Sequence, residues 1–157
     1  MMRVGFGFDV HQLVPERELW LGGVLIPHSV GALGHSDADV LLHALCDALL
    51  GALALGDIGQ HFPNTDPRWK GADSKLLLAA VVDLVHAAGW KVGNVDCTLV
   101  MERPKILPHV SQMRAVIAPL LHVPLDAVSI KATTNETMGF IGREEGVVAH
   151  AVATVVK

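Results

Sequence analysis

The chain predicts an α+β two-layer sandwich: a four-stranded sheet with helices on one face, plus a short N-terminal hairpin. Two observations lead there. Residues 91–101, 128–132 and 146–156 alternate in polarity or run rich in Val and Ala, as half-buried strands do, whereas residues 36–55, 74–88 and 108–121 carry helical patterns. The element order is strands, two helices, a strand, a helix and two strands. It does not repeat the strand-helix-strand unit of a parallel sheet.

Residues 3–10 and 19–26 read as two short strands joined by the polar loop Gln12-Leu13-Val14-Pro15-Glu16-Arg17, with Gly22-Gly23 and Pro27 punctuating the second. Ser36 reads as an N-cap with Asp39 three residues on, a pattern that starts a helix ending near Leu55, before Gly56. Asp39, His43 and Asp47 then share one side of that helix, where a carboxylate could orient the histidine's second ring nitrogen. Residues 57–71, DIGQHFPNTDPRWKG, form a long loop, and a loop of that length inside a compact domain is usually a lid or a binding element. Asp73-Ser74 caps a second helix that runs through Ala88 and stops at Gly89. In residues 91–101, Val95, Cys97, Leu99 and Met101 line one face and Asp96 and Thr98 the other. Pro108 opens a third helix to about Leu121, with Pro119 shortening its last turn. Residues 128–132 alternate again, and 146–156 form a final strand.

At 157 residues the chain is expected to form one domain, residues 1–157. Hydrophobic residues make up 51% and aromatics only 4%, with no Tyr, so apolar area comes from Val, Leu, Ala and Ile. With a mean hydropathy of +0.43, that excess over one small core predicts a homo-oligomer. The richest runs, residues 40–56 and 76–90, are interrupted by His43, Asp47, Asp83 and His86 and fall short of the roughly 20 apolar residues a bilayer demands, so no membrane association is expected. No export signal precedes Asp9, which gives a cytoplasmic expectation. Cys46 and Cys97 form no CxxC frame, and a net charge of −4 with scattered Lys and Arg argues against nucleic-acid binding.

Asp9-Val10-His11 carries the strongest chemical signal. In a strand, alternate side chains share a face, so Asp9 and His11 can bite one cation, with His43 as a third ligand from the first helix. One carboxylate and two imidazoles suit zinc and leave a fourth position open, the catalytic pattern. The same residues also fit a solvated strand end and a satisfied core histidine. Elsewhere, Lys105 precedes a helix N-terminus, which favours an anion. Thr133, Thr134 and Glu136 follow a strand with hydroxyls for phosphate and a carboxylate for a hard cation. Glycines around Arg143 permit tight turns that offer it to a phosphate or to a plug between subunits. His35-Ser36 stands at the first helix's positive end. No P-loop, GxSxG or CxxC motif occurs. Each segment also has a plain structural reading, and the residues alone leave both open.

Taken together, Gly7-Phe8-Asp9-Val10-His11, Gly34-His35-Ser36-Asp37-Ala38-Asp39-Val40, Leu55-Gly56-Asp57-Ile58-Gly59, Lys70-Gly71-Ala72-Asp73-Ser74 and Lys131-Ala132-Thr133-Thr134 resemble the 2-C-methyl-D-erythritol 2,4-cyclodiphosphate synthase family over nearly the whole chain. The resemblance implies a homotrimer with active sites between adjacent subunits and a step of non-mevalonate isoprenoid biosynthesis. The implied reaction cyclises 4-diphosphocytidyl-2-C-methyl-D-erythritol 2-phosphate with release of CMP. It further implies that Asp9, His11 and His43 hold zinc and that Glu136 helps place magnesium or manganese. His35 and Thr134 would stabilise the transition state, and Ser36 would support the 2-phosphate. Asp57, Ile58 and Gly59, with Phe62, Pro63, Asn64, Thr65 and Asp66, match methylerythritol-binding positions. Met101, Pro104, Lys105, Ile106, Leu107 and Thr133 match the cytidine diphosphate region, and Ala132, Asn135, Phe140 and Arg143 complete the substrate-binding set. Asn64 stands where many members have Asp, and Phe6 and His61 have no assigned role. Two rival readings are a zinc phosphohydrolase using the same triad to activate water, and a non-catalytic oligomer that binds nucleotide or isoprenoid.

Overall fold

The computed structural model describes residues 1–157. The N-terminal strand β1 (Met2–Pro15) is far longer than expected, because the polar 12–17 stretch continues the strand through Pro15 before turning. It pairs antiparallel with the final strand along its length, from Met2 opposite Val156 to Gln12 opposite Gly146. The N-terminal hairpin lies within residues 19–26, as β2 (Leu19–Leu21) and β3 (Val24–Ile26), and not between 3–10 and 19–26. Its turn is Gly22-Gly23, with φ of +60° and +75°, which glycine adopts without a Cβ penalty.

A further strand, β4 (Val30–Ala32), pairs with Leu13–Pro15. The remaining strands are β5 (Lys91–Val100), β6 (Val128–Thr133) and β7 (Gly146–Val156). The main sheet therefore has five strands in the order β4-β1-β7-β5-β6, antiparallel except for the β5–β6 pair, where the sequence predicts four. Val-Gly-Ala is too short to show a period, which is why β4 escaped.

The first helix, α1 (Val40–Ala52), begins later than Ser36. Ser36 Oγ accepts the Ala38 N–H at 3.2 Å and Ala38 takes a left-handed φ of +57°, so the chain turns before the helix. The cap is Asp39, which accepts from Leu42 N. The 57–71 loop contains a short helix, α2 (Ile58–His61), and a 3-10 turn, Pro67–Trp69. Next come α3 (Ser74–Ala87) and α4 (Val110–Leu121), the latter preceded by a 3-10 turn at Leu107–His109 that holds Pro108. The turn before Arg143 is a single helical turn, α5 (Gly139–Gly142).

One contiguous core joins the inner sheet face to α1, α3 and α4. α1 is buried along most of its length, and its closeness to β1 has a simple cause. Gly5 and Gly7 face it, and a Cβ on either would overlap the carbonyl oxygen of Ala48 or Ala44. Helix backbone thus lies against strand backbone with no side chain between them. The opposite sheet face leaves Val4, Phe6, Phe8, Val10 and Val152 exposed, with His150 stacked against Phe6 at 5.9 Å between ring centroids.

Candidate active site

Strand alternation places Asp9 and His11 on the face of β1 that carries Gly5 and Gly7, and the close seat of α1 brings His43 to them. Three atoms converge. His11 Nε2 lies 2.9 Å from Asp9 Oδ2, His43 Nδ1 lies 3.0 Å from the same oxygen, and the two nitrogens are 3.3 Å apart. Ligand atoms about 2.0–2.1 Å from a tetrahedral ion stand roughly 3.3 Å from one another, so the donor set fits a metal of zinc's size with little adjustment. No fourth His, Cys, Asp or Glu joins the cluster. One coordination position is left to something other than protein.

The outer ring nitrogens are committed elsewhere, and this chooses the tautomers. His11 Nδ1 lies 2.8 Å from Leu33 O, and a carbonyl can only accept, so Nδ1 carries the proton and Nε2 presents its lone pair. His43 Nε2 lies 2.9 Å from Ser74 Oγ, whose own proton goes to Asp37 Oδ1. Ser74 therefore accepts from Nε2–H, and His43 Nδ1 is free to ligate. Asp39 and Asp47 do not orient this ring, contrary to the expectation from their spacing. Asp39 is fully buried and binds the N–H groups of Gly22 (2.9 Å) and Gly23 (2.7 Å). Asp47 accepts from Ile58 N at 2.7 Å and ties the 57–71 loop to α1.

With no metal among them, burial pushes Asp9 upward, but hydrogen bonds from ring N–H groups of His11 and His43, which a metal would replace, outweigh it and bring the carboxyl down to about 2. Burial opposes charge on His11, yet the bond and charge of Asp9 leave its pKa raised. Asp39 is raised, first by burial, and Asp47 likewise.

A cavity of about 340 Å³ opens beside the triad. It gathers His35, Ser36, Ile58, Gly59, Phe62, Pro63, Asn64 and Thr65 of the predicted residues, together with Trp69 and Leu77, which the sequence reading did not name. Asp57 caps α2 through Gln60 N at 3.0 Å, and Asp66 caps the 3-10 turn and grips Arg68. His35 Nε2 reaches Asp66 O at 3.3 Å, linking the two walls.

A second, smaller cleft of about 120 Å³ lies at the ends of β5 and β6, lined by Met101, Glu102, Pro104, Lys105, Ile106, Leu107, Ala132, Thr133 and Thr134. Asn135 and Glu136 follow it directly, and Thr134 Oγ1 approaches Glu136 Oε1 at 3.4 Å. Glu102, within the 101–107 stretch, holds this turn by accepting from Asn135 N at 2.8 Å. Phe140 is exposed and packs toward Gly146, while exposed Arg143 pairs with Glu145 at 2.9 Å. The clefts share no residue. From β1 to β6 the sheet makes three strand-to-strand steps, roughly 14 Å, so one chain does not bring Glu136 or Thr134 to the triad.

The model of the YgbB family matches residues 2–156. This chain is a member of the YgbB family. It is 60% identical over 156 residues to the 2-C-methyl-D-erythritol 2,4-cyclodiphosphate synthase of Pseudomonas fluorescens (strain Pf0-1), with 99% of each chain covered. Among solved structures, a 2C-methyl-D-erythritol-2,4-cyclodiphosphate synthase in a CDP-bound form superposes with a TM-score of 0.90 at 42% identity, covering 98% of this chain and all of that one. The bifunctional IspDF of Campylobacter jejuni superposes with a TM-score of 0.95 at 40% identity, and 99% of this chain spans 42% of that longer one. For this YgbB member, Asp37 and Ser74 lie within the quoted motifs and Glu102 within 101–107, but the sequence assigns none of the three the bond it makes here: Ser74 to His43, Asp37 to Ser74 and Glu102 to Asn135. Each acts through a hydrogen bond between segments distant in sequence.

Proposed function

We propose that this chain, as a single synthase domain spanning residues 1–157, closes 4-diphosphocytidyl-2-C-methyl-D-erythritol 2-phosphate into 2-C-methyl-D-erythritol 2,4-cyclodiphosphate. An oxygen of the 2-phosphate attacks the β-phosphorus, the bond from that phosphorus to the CMP oxygen breaks, and CMP leaves. The observation that carries this is the convergence of Asp9 Oδ2, His11 Nε2 and His43 Nδ1 beside a cavity able to hold a small polyol phosphate. Both the name of the Pseudomonas fluorescens relative and the CDP-bound relative support the substrate class.

Asp9, His11 and His43 would hold zinc, which supplies Lewis acidity and a template for the diphosphate oxygens. Intramolecular phosphoryl transfer needs positioning and charge neutralisation, and since the substrate carries its own nucleophile, none is required of the protein. His35 and Ser36 border the cavity beside the triad, where they can donate to phosphate oxygens. Ile58, Gly59 and Phe62–Thr65 line the cavity, with Asp57 and Asp66 capping the turns behind them, where they would exclude the water that diverts cyclisation into hydrolysis. Met101–Leu107, Ala132 and Thr133 would take the cytidine diphosphate. Thr134, Asn135 and Glu136 would serve the transferring phosphate and a magnesium or manganese ion. Phe140 and Arg143 would complete the set.

These two groups must meet across subunits. The distance between them in one chain and the exposed apolar face of β1 and β7 both support a homotrimer with sites shared by neighbours. No helix is long and apolar enough to cross a membrane. Phosphorus NMR tests the assignment: with substrate and magnesium, CMP and two coupled resonances of a cyclic diphosphate are expected, lost on chelation. A linear bisphosphate would make the protein a hydrolase. His43→Ala should abolish CMP release while the assembly persists, and full activity in that variant would refute the site.

A further inference from the structure

The segment from Ala32 to Ser36 leaves β4 at the edge of the sheet and bends across to the start of α1; Leu33 N–H still reaches Gln12 O of β1 at 2.8 Å, and no strand lies on its outer side. Its carbonyls divide by parity. Leu33 O holds His11 Nδ1–H at 2.8 Å and His35 O accepts from Gly71 N at 2.7 Å. Ala32, Gly34 and Ser36 point their carbonyls the other way, and all three go to one side chain. Arg17 Nε donates to Ala32 O at 3.2 Å, and Nη2 donates to Gly34 O at 3.2 Å and Ser36 O at 3.3 Å. Arg17 is half-buried and forms no ion pair, so its guanidinium is spent on backbone.

This strip carries what the metal site depends on. Leu33 O sets the tautomer of His11, Ser36 Oγ lies 3.2 Å from His43 Nε2, and His35 borders the cavity. We propose that Arg17 is a positioning residue of the metal centre, its guanidinium standing in for the missing neighbouring strand and fixing the register in which Leu33, His35 and Ser36 meet the ligands and substrate. The inference rests on the reading of Asp9, His11 and His43 as metal ligands. A planar fork with several donors spans three carbonyls of alternate residues. The point charge of lysine does not, so the role is specific to arginine and not to positive charge.

The test uses cobalt(II) as probe, titrated against a chelator into metal-stripped protein, with the urea midpoint recorded alongside. Arg17→Ala should weaken cobalt binding about 10- to 100-fold, as loss of a group that orients a ligand does. Ethylguanidinium in the buffer should restore part of that affinity, and ethylammonium should not. Arg17→Lys, which keeps charge and stem, serves if the alanine variant fails to fold, and it should show the same loss. Wild-type affinity in a folded Arg17 variant would overturn the proposal, as would equal rescue by both cations. Failure of the underlying reading looks different: wild type and His43→Ala would then bind cobalt alike.

Discussion

The two clefts of this molecule are built on opposite plans. At the β1–α1 seam every donor is gripped from behind: His11 by Leu33 O, His43 by Ser74, and Asp9 by both imidazoles. Their side chains are only 17%, 12% and 26% exposed. At the ends of β5 and β6, Lys105, Thr133 and Glu136 are exposed, and Thr134 Oγ1 has only the long contact to Glu136 and the Glu136 N–H at 3.3 Å. The first cleft is organised by folding and the second is left open. Under the proposed function, a site assembled from one of each would have its metal half ready in every chain and its nucleotide half supplied by a neighbour.

The largest effect should come from separating the halves genetically. His43→Ala and Glu136→Gln each strike one half, and each alone should be nearly inactive. Co-refolded in equal amounts, they should recover about a quarter of wild-type turnover, since one neighbouring pair in four joins two intact halves. No recovery in mixed assemblies would place both halves within one chain and break the comparison.

A smaller effect sharpens the account of the gripped half. Gly7→Ala puts a methyl group into the Ala44 carbonyl and should cost about 1–3 kcal/mol in urea unfolding while lowering metal affinity. Gly51→Ala on the same helix meets only Phe6 O at 3.9 Å and should leave metal binding intact, with a gain of up to about 1 kcal/mol from helix propensity. Equal behaviour of the two variants would show that close approach is not what sets the triad.

The mildest effect is in pH. The raised His11 pKa makes the metal-free His11–Asp9 pair a source of stability that is full below 6.5 and fades as pH rises through the folded value. Asp9, lowered to about 2, contributes above 3.8 and loses that contribution as pH falls toward 2. A metal must displace the His11 proton, so calorimetry should show proton release and an affinity that climbs with pH through the same range. A pH-independent affinity would mean that His11 is not a ligand.

Much of this was legible in the sequence because it is periodic or local. Alternation announced β5, β6 and β7, helical spacing announced the three long helices, and Asp9-Val10-His11 announced a shared strand face. Failures came where a tertiary partner decided the outcome. β4 exists because Leu13–Pro15 continues β1 beneath it, and Asp39 displaced Ser36 as cap because the Gly22-Gly23 turn needed an acceptor. Ser74 reads as a helix-start serine, and nothing in its neighbourhood says that it faces His43 from 31 residues away.

The contact of α1 with β1, backbone on backbone at Gly5 and Gly7, leaves no lubricating layer at the joint that carries the ligands. His43 cannot swing from Asp9 by a tilt of the helix, because the strand beneath is hydrogen-bonded along its length to β7. If the triad holds an ion as proposed, its exchange is expected to proceed through the cleft that residues 58–65 line. The β1 amides bonded to β7 are expected to trade hydrogen with water on the slow clock of global opening, separate from that of ion exchange.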